Sequence, residues 1–382
     1  MGHEAIAANA RTLRKKVGLS QEKMAEAAGL SLAGYRNIET GRSMPRVDTL
    51  YSLASAFDVP IQELLAPVPE LRAVRFRSFK SLRTRGQVLS DVGRWLKEFN
   101  ELEETLGLQR AFPLRNHKPS NGSQDRPAAA ARWARERFGL DPSEPVRDIS
   151  GLLEANGVKV LPLPIKSDAF FGLSVAPGDG GPAIVVNTWD RISVERWIFT
   201  AAHELGHLVL HFGDYNVEEK DESEVEEQEA NIFASHFLMP AEVFQREWDD
   251  TYGMSFVDRA MKVKRIFRVS YKTVLYRLSE GVTDKAALWR GFQVDYQRRS
   301  GKTLLKVDEP EALATDAFRA SSPEPTCARE PERLSKVDFV EDRLSRLVRR
   351  AVEEGSITLA RGAEILGLPL QDMRALTAGW VA

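Results

Sequence analysis

The chain has 382 residues, of which 43% are hydrophobic and 28% charged, and its formal net charge is −2. A chain of this length is too long for one ordinary hydrophobic core, so two to four globular domains are predicted. The near-neutral net charge excludes a basic surface over the whole molecule, so any nucleic-acid-binding surface is local. The single cysteine, Cys327, excludes an internal disulfide framework and a cysteine-ligated zinc site.

The N-terminus is polar and helix-forming, which is not the pattern of a secretory leader. No apolar run approaches the ~20 residues that a bilayer span requires. We therefore expect a cytoplasmic protein with no membrane partner.

Residues 4–66 have the spacing of a compact helical domain. A first helical stripe ends at Gly18, and Ser20 and Ser31 are the predicted N-caps of two short helices, Gln21 to Ala28 and Leu32 to Thr40. Two such helices joined through Ala-Gly-Leu-Ser predict a helix-turn-helix. The residues expected to face its core are Ile6, Ala10, Leu13, Val17, Met24, Ala25, Ala28, Leu50, Leu53, Ala54 and Phe57.

The pattern L-R-K-x-x-G-L-S-Q-E-x-M-A-x-x-A-G-L-S-x-x-x-Y-R-N-I-E-x-G-R closely resembles the XRE/Cro repressor family over residues 11–65. The resemblance implies a double-stranded DNA operator, bound by a homodimer at paired half-sites. It implies phosphate contacts for Gln21 and Arg42, and base contacts for Arg36 to guanine and Asn37 to adenine. The recognition-helix set that it implies is Ser31, Leu32, Ala33, Arg36 and Asn37. The alternative is a helical bundle whose basic residues are only solvated.

The segment that follows is basic at residues 67–88 and periodic at residues 89–107. The basic part can extend the DNA footprint, or it can be a solvated linker or a strand. The periodic part predicts a docking or dimerisation helix. The turn-rich residues 113–127 mark a domain boundary, and His117 within them is expected to be solvated. The cations of the basic part are Arg72, Arg75, Arg77, Lys80, Arg83 and Arg85.

Helices are then predicted over residues 127–139 and 146–156, and strands over 158–163, 169–174 and 183–187, with a turn at Asp179-Gly180-Gly181. The next stretch carries H-E-x-x-H in an apolar helical run. His203 and His207 lie one turn apart on one helical face, so their imidazoles can share a zinc ion. Glu204 can act as a general base toward a water molecule on that metal.

A catalytic zinc usually has three protein ligands and an open position, so a third ligand is expected on a second helix. The helical stretch at residues 226–240 offers Glu227, with Glu226 and Glu229 as rivals. Asn231 lies one turn beyond Glu227, which favours Glu227, with Asn231 as a supporting residue behind the metal ligands. His211 continues the i,i+4 series behind His207, in a supporting role rather than as a fourth ligand.

F-T-x-A-H-E-L-G-H-L-V-L-H followed by E-x-E-A-N-x-F-A-x-x-F-L-M-P resembles the ImmA/IrrE family of bacterial metallopeptidases, from about Pro127 to Gly281. The resemblance implies Zn²⁺, with His203, His207 and Glu227 as ligands and Glu204 as the base. It also implies a small sheet beside the metal helix that can pair with an extended peptide, and a repressor protein as substrate. Tyr215 and His236 are further candidates, for stabilising an oxyanion.

These patterns predict an α+β, mainly helical protein: an all-α helix-turn-helix domain, a zincin-like metallopeptidase domain with a small sheet, and a helical C-terminal region. The function predicted is a DNA-binding regulator whose zinc endopeptidase cleaves a repressor or regulatory protein, this chain included, in a stress or mobile-element response. The alternative is a non-proteolytic repressor of the toxin–antitoxin type with a structural zinc. The predicted segments are 1–67 (helix-turn-helix), 68–126 (basic and helical linker), 127–300 (peptidase), 301–336 (flexible linker) and 337–382 (small helical unit).

Overall fold

The computed structural model describes residues 3–65, 71, 73–76, 85–115, 125–212, 215, 223–305, 308–310 and 334–380. Most of the basic segment, His117, the acidic residues at 218–222 and the linker containing Cys327 lie outside the described residues. The chain divides into two compact units: Met1–Leu71, Arg83–Gln109 and Arg343–Ala382 form the first, and Arg72–Leu82 and Arg110–Asp342 form the second. Across the described ranges, no helix is both long and apolar enough to cross a bilayer.

The described residues confirm a mainly helical α+β chain. The helices are α1 His3–Lys16, α2 Gln21–Ala27, α3 Leu32–Glu39, α4 Val47–Phe57, α5 Ile61–Leu65, α6 Arg85–Leu106, α7 Arg126–Arg137, α8 Ile149–Ala155, α9 Val194–Leu210, α10 Glu224–Leu238, α11 Ala241–Asp249, α12 Phe256–Phe267, α13 Tyr271–Ser279, α14 Lys285–Ser300, α15 Arg343–Glu353, α16 Leu359–Ile365 and α17 Leu370–Ala378. The strands are β1 Val74–Phe76, β2 Lys159–Leu163, β3 Gly172–Val175 and β4 Ala183–Asn187.

In the first unit, α1 to α5 enclose one apolar core, with α2 and α3 as the helix-turn-helix. The predicted caps are present, because the Ser20 hydroxyl accepts a hydrogen bond from the amide of Lys23 and the Ser31 hydroxyl accepts one from Gly34. Val17 is the one predicted core residue that is exposed, since α1 ends at Lys16 and the chain turns away at Gly18. The other ten are buried: Ile6, Ala10, Leu13, Met24, Ala25, Ala28, Leu50, Leu53, Ala54 and Phe57.

The same unit contains a second apolar cluster, formed by α6 and the C-terminal helices α15 to α17. Phe99 and Leu102 of α6 pack in this cluster with Leu347 and Val348 of α15. The helix predicted for docking or dimerisation therefore docks on helices of its own chain. Arg343 forms a buried ion pair with Glu103 beneath this contact.

The second unit is built around one mixed sheet, which in the described residues has four strands in the order β1-β3-β4-β2. The pairing of β2 with β4 is parallel, and both contacts of β3 are antiparallel. The three predicted strands lie within a few residues of β2, β3 and β4. Part of the basic segment forms strand β1, which was one of the alternatives predicted for that segment. Helix α9 packs across β3 and β4.

The main core of this unit includes both faces of α9 and the buried side of α10. It continues through α12 and α13, where Phe267, Tyr271, Val274 and Leu275 are buried. Residues 267–278 thus pack against the core of this unit.

Candidate metal centre

Helix α9 carries the H-E-x-x-H residues in the interior of the second unit. The Ser193 side chain caps its N-terminus, and every residue from Trp197 to Leu210 is buried. His203 and Glu204 are 0% exposed and His207 is 1% exposed. Burial of three polar side chains on one helix is costly unless each has a partner, so their partners define the site.

Helix α10 lies directly against α9 because one residue of the motif has no side chain. A Cβ on Gly206 would lie 3.0 Å from the ring of Phe233. Ala230, Ala234 and Ser235 are also small and fully buried. This close contact brings the first turns of α10 to the histidines.

Three ligand atoms converge between the two helices. The Nε2 atom of His207 lies 3.0 Å from His203 Nε2 and 3.1 Å from a Glu227 oxygen. The second Glu227 oxygen lies 3.4 Å from His203 Nε2, and the candidate ligand atoms all lie within 4.8 Å of one another. Two imidazole nitrogens and a carboxylate oxygen are a donor set that suits zinc, so the residues present fit the metal that the sequence implies.

The rival carboxylates are engaged elsewhere. Glu226 forms an ion pair with Arg75 of β1. Glu229 accepts hydrogen bonds from Arg126 at 2.9 and 3.1 Å and lies 2.8 Å from His211 Nε2. The structure thus brings Glu227, and neither Glu226 nor Glu229, to the two histidines.

A further set of contacts orients the imidazoles. Asn231 Oδ1 lies 3.1 Å from His203 Nδ1, so Asn231 contacts one of the candidate histidine ligands from behind. The Nδ1 atom of His207 lies 3.0 Å from His211 Nδ1. If each Nε2 lone pair points toward the centre, each Nδ1 carries the hydrogen, and it donates to Asn231 or to His211.

The electrostatics favour neutral imidazoles and an ionised carboxylate. Burial lowers the pKa of His207 well below its usual value, against a hydrogen bond to Glu227 that raises it. Burial also lowers the pKa of His211. For Glu227, burial alone would raise the pKa, but hydrogen bonds from His203 and His207 lower it overall. Neutral imidazole and carboxylate are the forms that bind a metal cation.

Glu204 contacts strand β3 through its carboxylate. The hydroxyl of Ser174 donates a hydrogen bond to Glu204 Oε2 at 2.8 Å, and the Tyr215 hydroxyl donates to Ser174 Oγ at 3.0 Å. Gly172 permits this approach, because a Cβ there would lie 2.5 Å from Thr200 and 3.4 Å from Glu204 Cγ. Ser174 was not singled out in the sequence, since nothing in a short strand separates this serine from any other.

The two candidates for stabilising an oxyanion differ in position. Tyr215 is linked to Glu204 through Ser174, and burial raises its pKa, so the phenol keeps its proton. His236 contacts Arg277 at 2.6 Å and Glu280 at 3.4 Å.

Two of the predicted DNA-contacting residues, Gln21 and Arg36, touch each other. Arg36 donates a hydrogen bond from Nε to Gln21 Oε1 at 3.3 Å, so the two side chains share a surface. Gln21 in turn donates to the buried Glu39, which also accepts two hydrogen bonds from Arg14 at 2.8 Å. Ser31 is the N-cap rather than a residue within α3. Ser31, Ala33, Arg36, Asn37 and Arg42 are exposed, and Gln21 and Leu32 are half-buried.

Comparison with known proteins gives a family to each of these regions. Residues 11–64 match the helix-turn-helix family model, and residues 153–279 match that of the IrrE N-terminal-like domain, peptidase family M78. An uncharacterised helix-turn-helix-type transcriptional regulator, y4dJ of Sinorhizobium fredii, is 38% identical over 65 residues, which are 17% of this chain and 84% of that protein. The chain belongs to the helix-turn-helix transcriptional regulators.

Two further likenesses are more limited. The cryptic phage CTXphi transcriptional repressor RstR of Vibrio cholerae is 35% identical over 51 residues, which are 13% of this chain and 46% of that protein. The comparison with the apo form of ComR from S. thermophilus covers 78% of this chain and 94% of the ComR chain, at 15% sequence identity. Its TM-score is 0.16, which is too low to support a conclusion about the fold.

This regulator therefore joins a helix-turn-helix domain to an M78-family domain in one chain. The helix-turn-helix match contains all the predicted DNA-contacting residues, and the M78 match contains His203, Glu204, His207 and Glu227. The M78 match also contains strands β2 to β4 but begins well after β1.

Proposed function

We propose that this chain is a DNA-binding transcriptional regulator whose M78 domain is a zinc-dependent endopeptidase that cleaves a repressor or another regulatory protein, including copies of itself. The observation that carries the proposal is Glu204. It is fully buried, directly follows His203 in helix α9, and accepts a hydrogen bond from Ser174. A purely structural zinc site needs His203, His207 and Glu227, but it has no use for this carboxylate.

When bound, zinc supplies Lewis acidity and lowers the pKa of water near its open position. The residues of the chain supply the proton transfers. Glu204 accepts a proton from the attacking water as the oxygen bonds to the scissile carbonyl carbon, and it returns that proton to the amide nitrogen as the C–N bond breaks. Ser174 and Tyr215 hold the Glu204 carboxylate in one orientation through consecutive hydrogen bonds of 2.8 and 3.0 Å.

In this proposal the helix-turn-helix binds the DNA operator. We propose that Gln21 and Arg42 contact phosphates and that Arg36 and Asn37 read bases, with Ser31, Leu32 and Ala33 lining the same helix. The exposed positions of Arg36, Asn37 and Arg42 support these roles. A homodimer on paired half-sites is part of the proposal, as is a location in the cytoplasm, where the chromosome is accessible.

A second candidate function is a non-proteolytic repressor in which the zinc is structural. The observation that favours it is strand β1, which pairs with the edge of β3 beside Glu204. An edge that is already paired cannot bind a substrate strand in the same state.

The test compares the purified wild-type chain with Glu204→Gln. Both should hold about one zinc per chain by elemental analysis, because Gln leaves the ligands in place. A tagged Glu204→Gln chain serves as substrate, added to untagged wild type or to untagged Glu204→Gln. The proposal expects zinc-dependent fragments of the tagged chain, or of repressor proteins from the same host, with wild type alone. Equal zinc content without any wild-type-specific fragment supports the structural-zinc alternative.

A further inference from the structure

Strand β1 comes from a different part of the chain than the rest of its sheet. It lies in the segment Arg72–Leu82, and residues on both sides of that segment, up to Leu71 and from Arg83, belong to the helix-turn-helix unit. The M78 match at residues 153–279 contains β2, β3 and β4 but not β1. The sheet of the matched domain thus has three of the described strands, and residues 73–76 add a fourth at its edge.

The pairing of β1 is antiparallel and in regular register. Arg75 lies opposite Ser174 and Val74 lies opposite Val175. The amide of Ala176 donates a hydrogen bond to the Ala73 carbonyl at 3.0 Å. The Ala73 amide donates to the side chain of Asp179 at 2.5 Å. The antiparallel register and the backbone bond from Ala176 are contacts that an added peptide strand makes when it extends a sheet.

The edge that β1 covers is the one next to the proposed base. Ser174, directly opposite Arg75, donates its hydroxyl hydrogen to Glu204. Neighbouring strands lie about 4.8 Å apart, so the β1 backbone runs one strand spacing from the residue that holds Glu204. The Arg75 side chain reaches α10, where it forms an ion pair with Glu226, the residue before the ligand Glu227. Residues 73–76 therefore cross the space where a scissile peptide has to lie.

The side chains of β1 also show what kind of peptide this edge accepts. Val74 is 1% exposed, so the strand has one fully buried apolar position. Arg75 points to the other face, as strand alternation requires, and meets the carboxylate of Glu226. A guanidinium in that place is held by charge and by hydrogen bonding together.

We propose that residues 73–76 occupy the outer edge of β3 as an internal pseudosubstrate, at the place where an extended substrate pairs with the sheet, and that this edge selects peptides with an arginine facing Glu226. The inference rests on the proposed endopeptidase function and names its substrate class. A tethered strand competes at an effective concentration of roughly millimolar. A protein substrate thus binds only after β1 has left the edge.

The first part of the experiment locks β1 in place. Val74 and Val175 are a non-hydrogen-bonded pair, because the hydrogen bond between residues 73 and 176 makes the neighbouring pair a hydrogen-bonded one. Cα atoms of such a pair lie about 4.5 Å apart, within the range that a disulfide bridges. The full-length chain carries Val74→Cys and Val175→Cys together with Cys327→Ser, and it is compared oxidised and reduced. Each form is the same polypeptide, so a folding defect affects both.

The probe is a fluorescein-labelled peptide with the sequence LRAVRFRS, residues 71–78 of this chain. Its binding to the zinc-loaded chain is followed by fluorescence anisotropy. We expect no binding to the oxidised form and recovery of the wild-type level on reduction. Arg75→Pro removes the backbone donor that faces β3, and we expect it to bind the peptide about tenfold or more tightly than wild type. Arg75→Ala is the matched control that loses the ion pair but keeps the donor.

Charge reversal tests the selectivity. On the Arg75→Pro chain, the peptide LRAVEFRS should bind about tenfold more weakly than LRAVRFRS, and Glu226→Arg should reverse that preference. Equal binding to the oxidised, reduced and Arg75→Pro forms would overturn the assignment of the edge, and equal binding of the two peptides would overturn the selectivity. Mass spectrometry of the bound peptide distinguishes binding at the edge from cleavage. A peptide that binds the released edge but stays intact leaves the edge assigned and counts against the endopeptidase.

Discussion

The orientation of His207 depends on a chain of side chains that lie behind it. Arg126 donates to Glu229, Glu229 accepts from His211, and His211 Nδ1 lies 3.0 Å from His207 Nδ1. The Glu229 carboxylate can only accept hydrogen bonds, so His211 carries its hydrogen on Nε2. The Nδ1 atom of His211 then accepts a hydrogen bond from His207 Nδ1. This leaves the Nε2 lone pair of His207 pointing toward His203 and Glu227.

We therefore expect Glu229→Gln to weaken zinc binding although Glu229 is not a ligand. An amide can present a hydrogen to His211 and favour the wrong tautomer, and loss of such an outer contact costs about 10–100-fold in metal affinity. The measurement is the zinc Kd by chelator competition. Glu224→Gln, an exposed change in the first turn of α10, is the control and should leave the Kd unchanged. An unchanged Kd in Glu229→Gln would show that His207 is oriented without this chain.

Glu39 makes the stability of the helix-turn-helix depend on pH. Burial would raise the pKa of Glu39, but hydrogen bonds from Arg14 and Gln21 lower it overall. Because the folded pKa lies below the unfolded one, the stabilisation is present above the unfolded value of about 4.3 and is lost as the pH falls through the folded pKa.

Glu39→Gln should accordingly destabilise the α1–α3 region at pH 7 by about 1–3 kcal/mol. The difference from wild type should shrink as the pH falls below about 4. Hydrogen exchange of the α1 to α3 amides, measured on both proteins across this range, reports that region alone. A difference that is constant with pH would mean that Glu39 acts by packing and not by charge.

At the scale of elements, the contact between α9 and α10 depends on Gly206. Alanine there improves helix propensity by about 1 kcal/mol, but its Cβ would lie 3.0–3.2 Å from three atoms of Phe233. We expect Gly206→Ala to destabilise the protein by about 1–2 kcal/mol and to weaken zinc binding, because α10 and Glu227 must move outward.

Two variants check that explanation. Gly291→Ala lies in α14 with open space around it, so the same substitution should be neutral or stabilising there. Phe233→Leu, combined with Gly206→Ala in one chain, removes the ring atoms that the new Cβ meets. This double variant should recover part of the zinc affinity lost in Gly206→Ala. Thermal unfolding and the zinc Kd of the four proteins give the answer, and equal effects at Gly206 and Gly291 would exclude the steric cause.

Sequence pattern locates these helices well because their signals are local. The caps Ser20, Ser31 and the H-E-x-x-H spacing all operate within one or two turns of the chain. Strand β1 is different, because three residues in a basic segment have no alternating pattern that can be read, and their partner strand lies about a hundred residues away. The pairing of Arg126 with Glu229, 103 residues apart, is hidden from the sequence for the same reason.

For the whole molecule, sequence motifs predict the two functional domains but not the grouping of segments around them. The motifs at residues 11–64 and 153–279 are each contiguous. The apolar faces of α6 and α15, however, cover each other across more than two hundred residues of chain, and no local pattern gives the partner of an apolar face.

The division into units predicts that DNA binding does not need the metal. All predicted DNA-contacting residues lie in α2, α3 and the adjoining turns of the first unit, and the three ligand residues lie in the second. Operator affinity measured by fluorescence anisotropy, on a site selected from random DNA, should be the same before and after chelation. Arg36→Ala should cost about 1–3 kcal/mol on that site and less on random DNA. An equal loss on both would assign Arg36 to a phosphate.

From the proposed function we infer that proteolysis by Glu204 controls the DNA-bound state of this regulator. The most direct measurement is a reporter gene behind the protein's own operator, in strains that carry wild type or Glu204→Gln and are exposed to DNA damage or foreign DNA. Gln keeps the shape of Glu but cannot accept a proton, so zinc content and repression should be retained. We predict that wild type relieves repression after induction and that Glu204→Gln does not. A Glu204→Gln strain that derepresses to the same extent as wild type would contradict the claim.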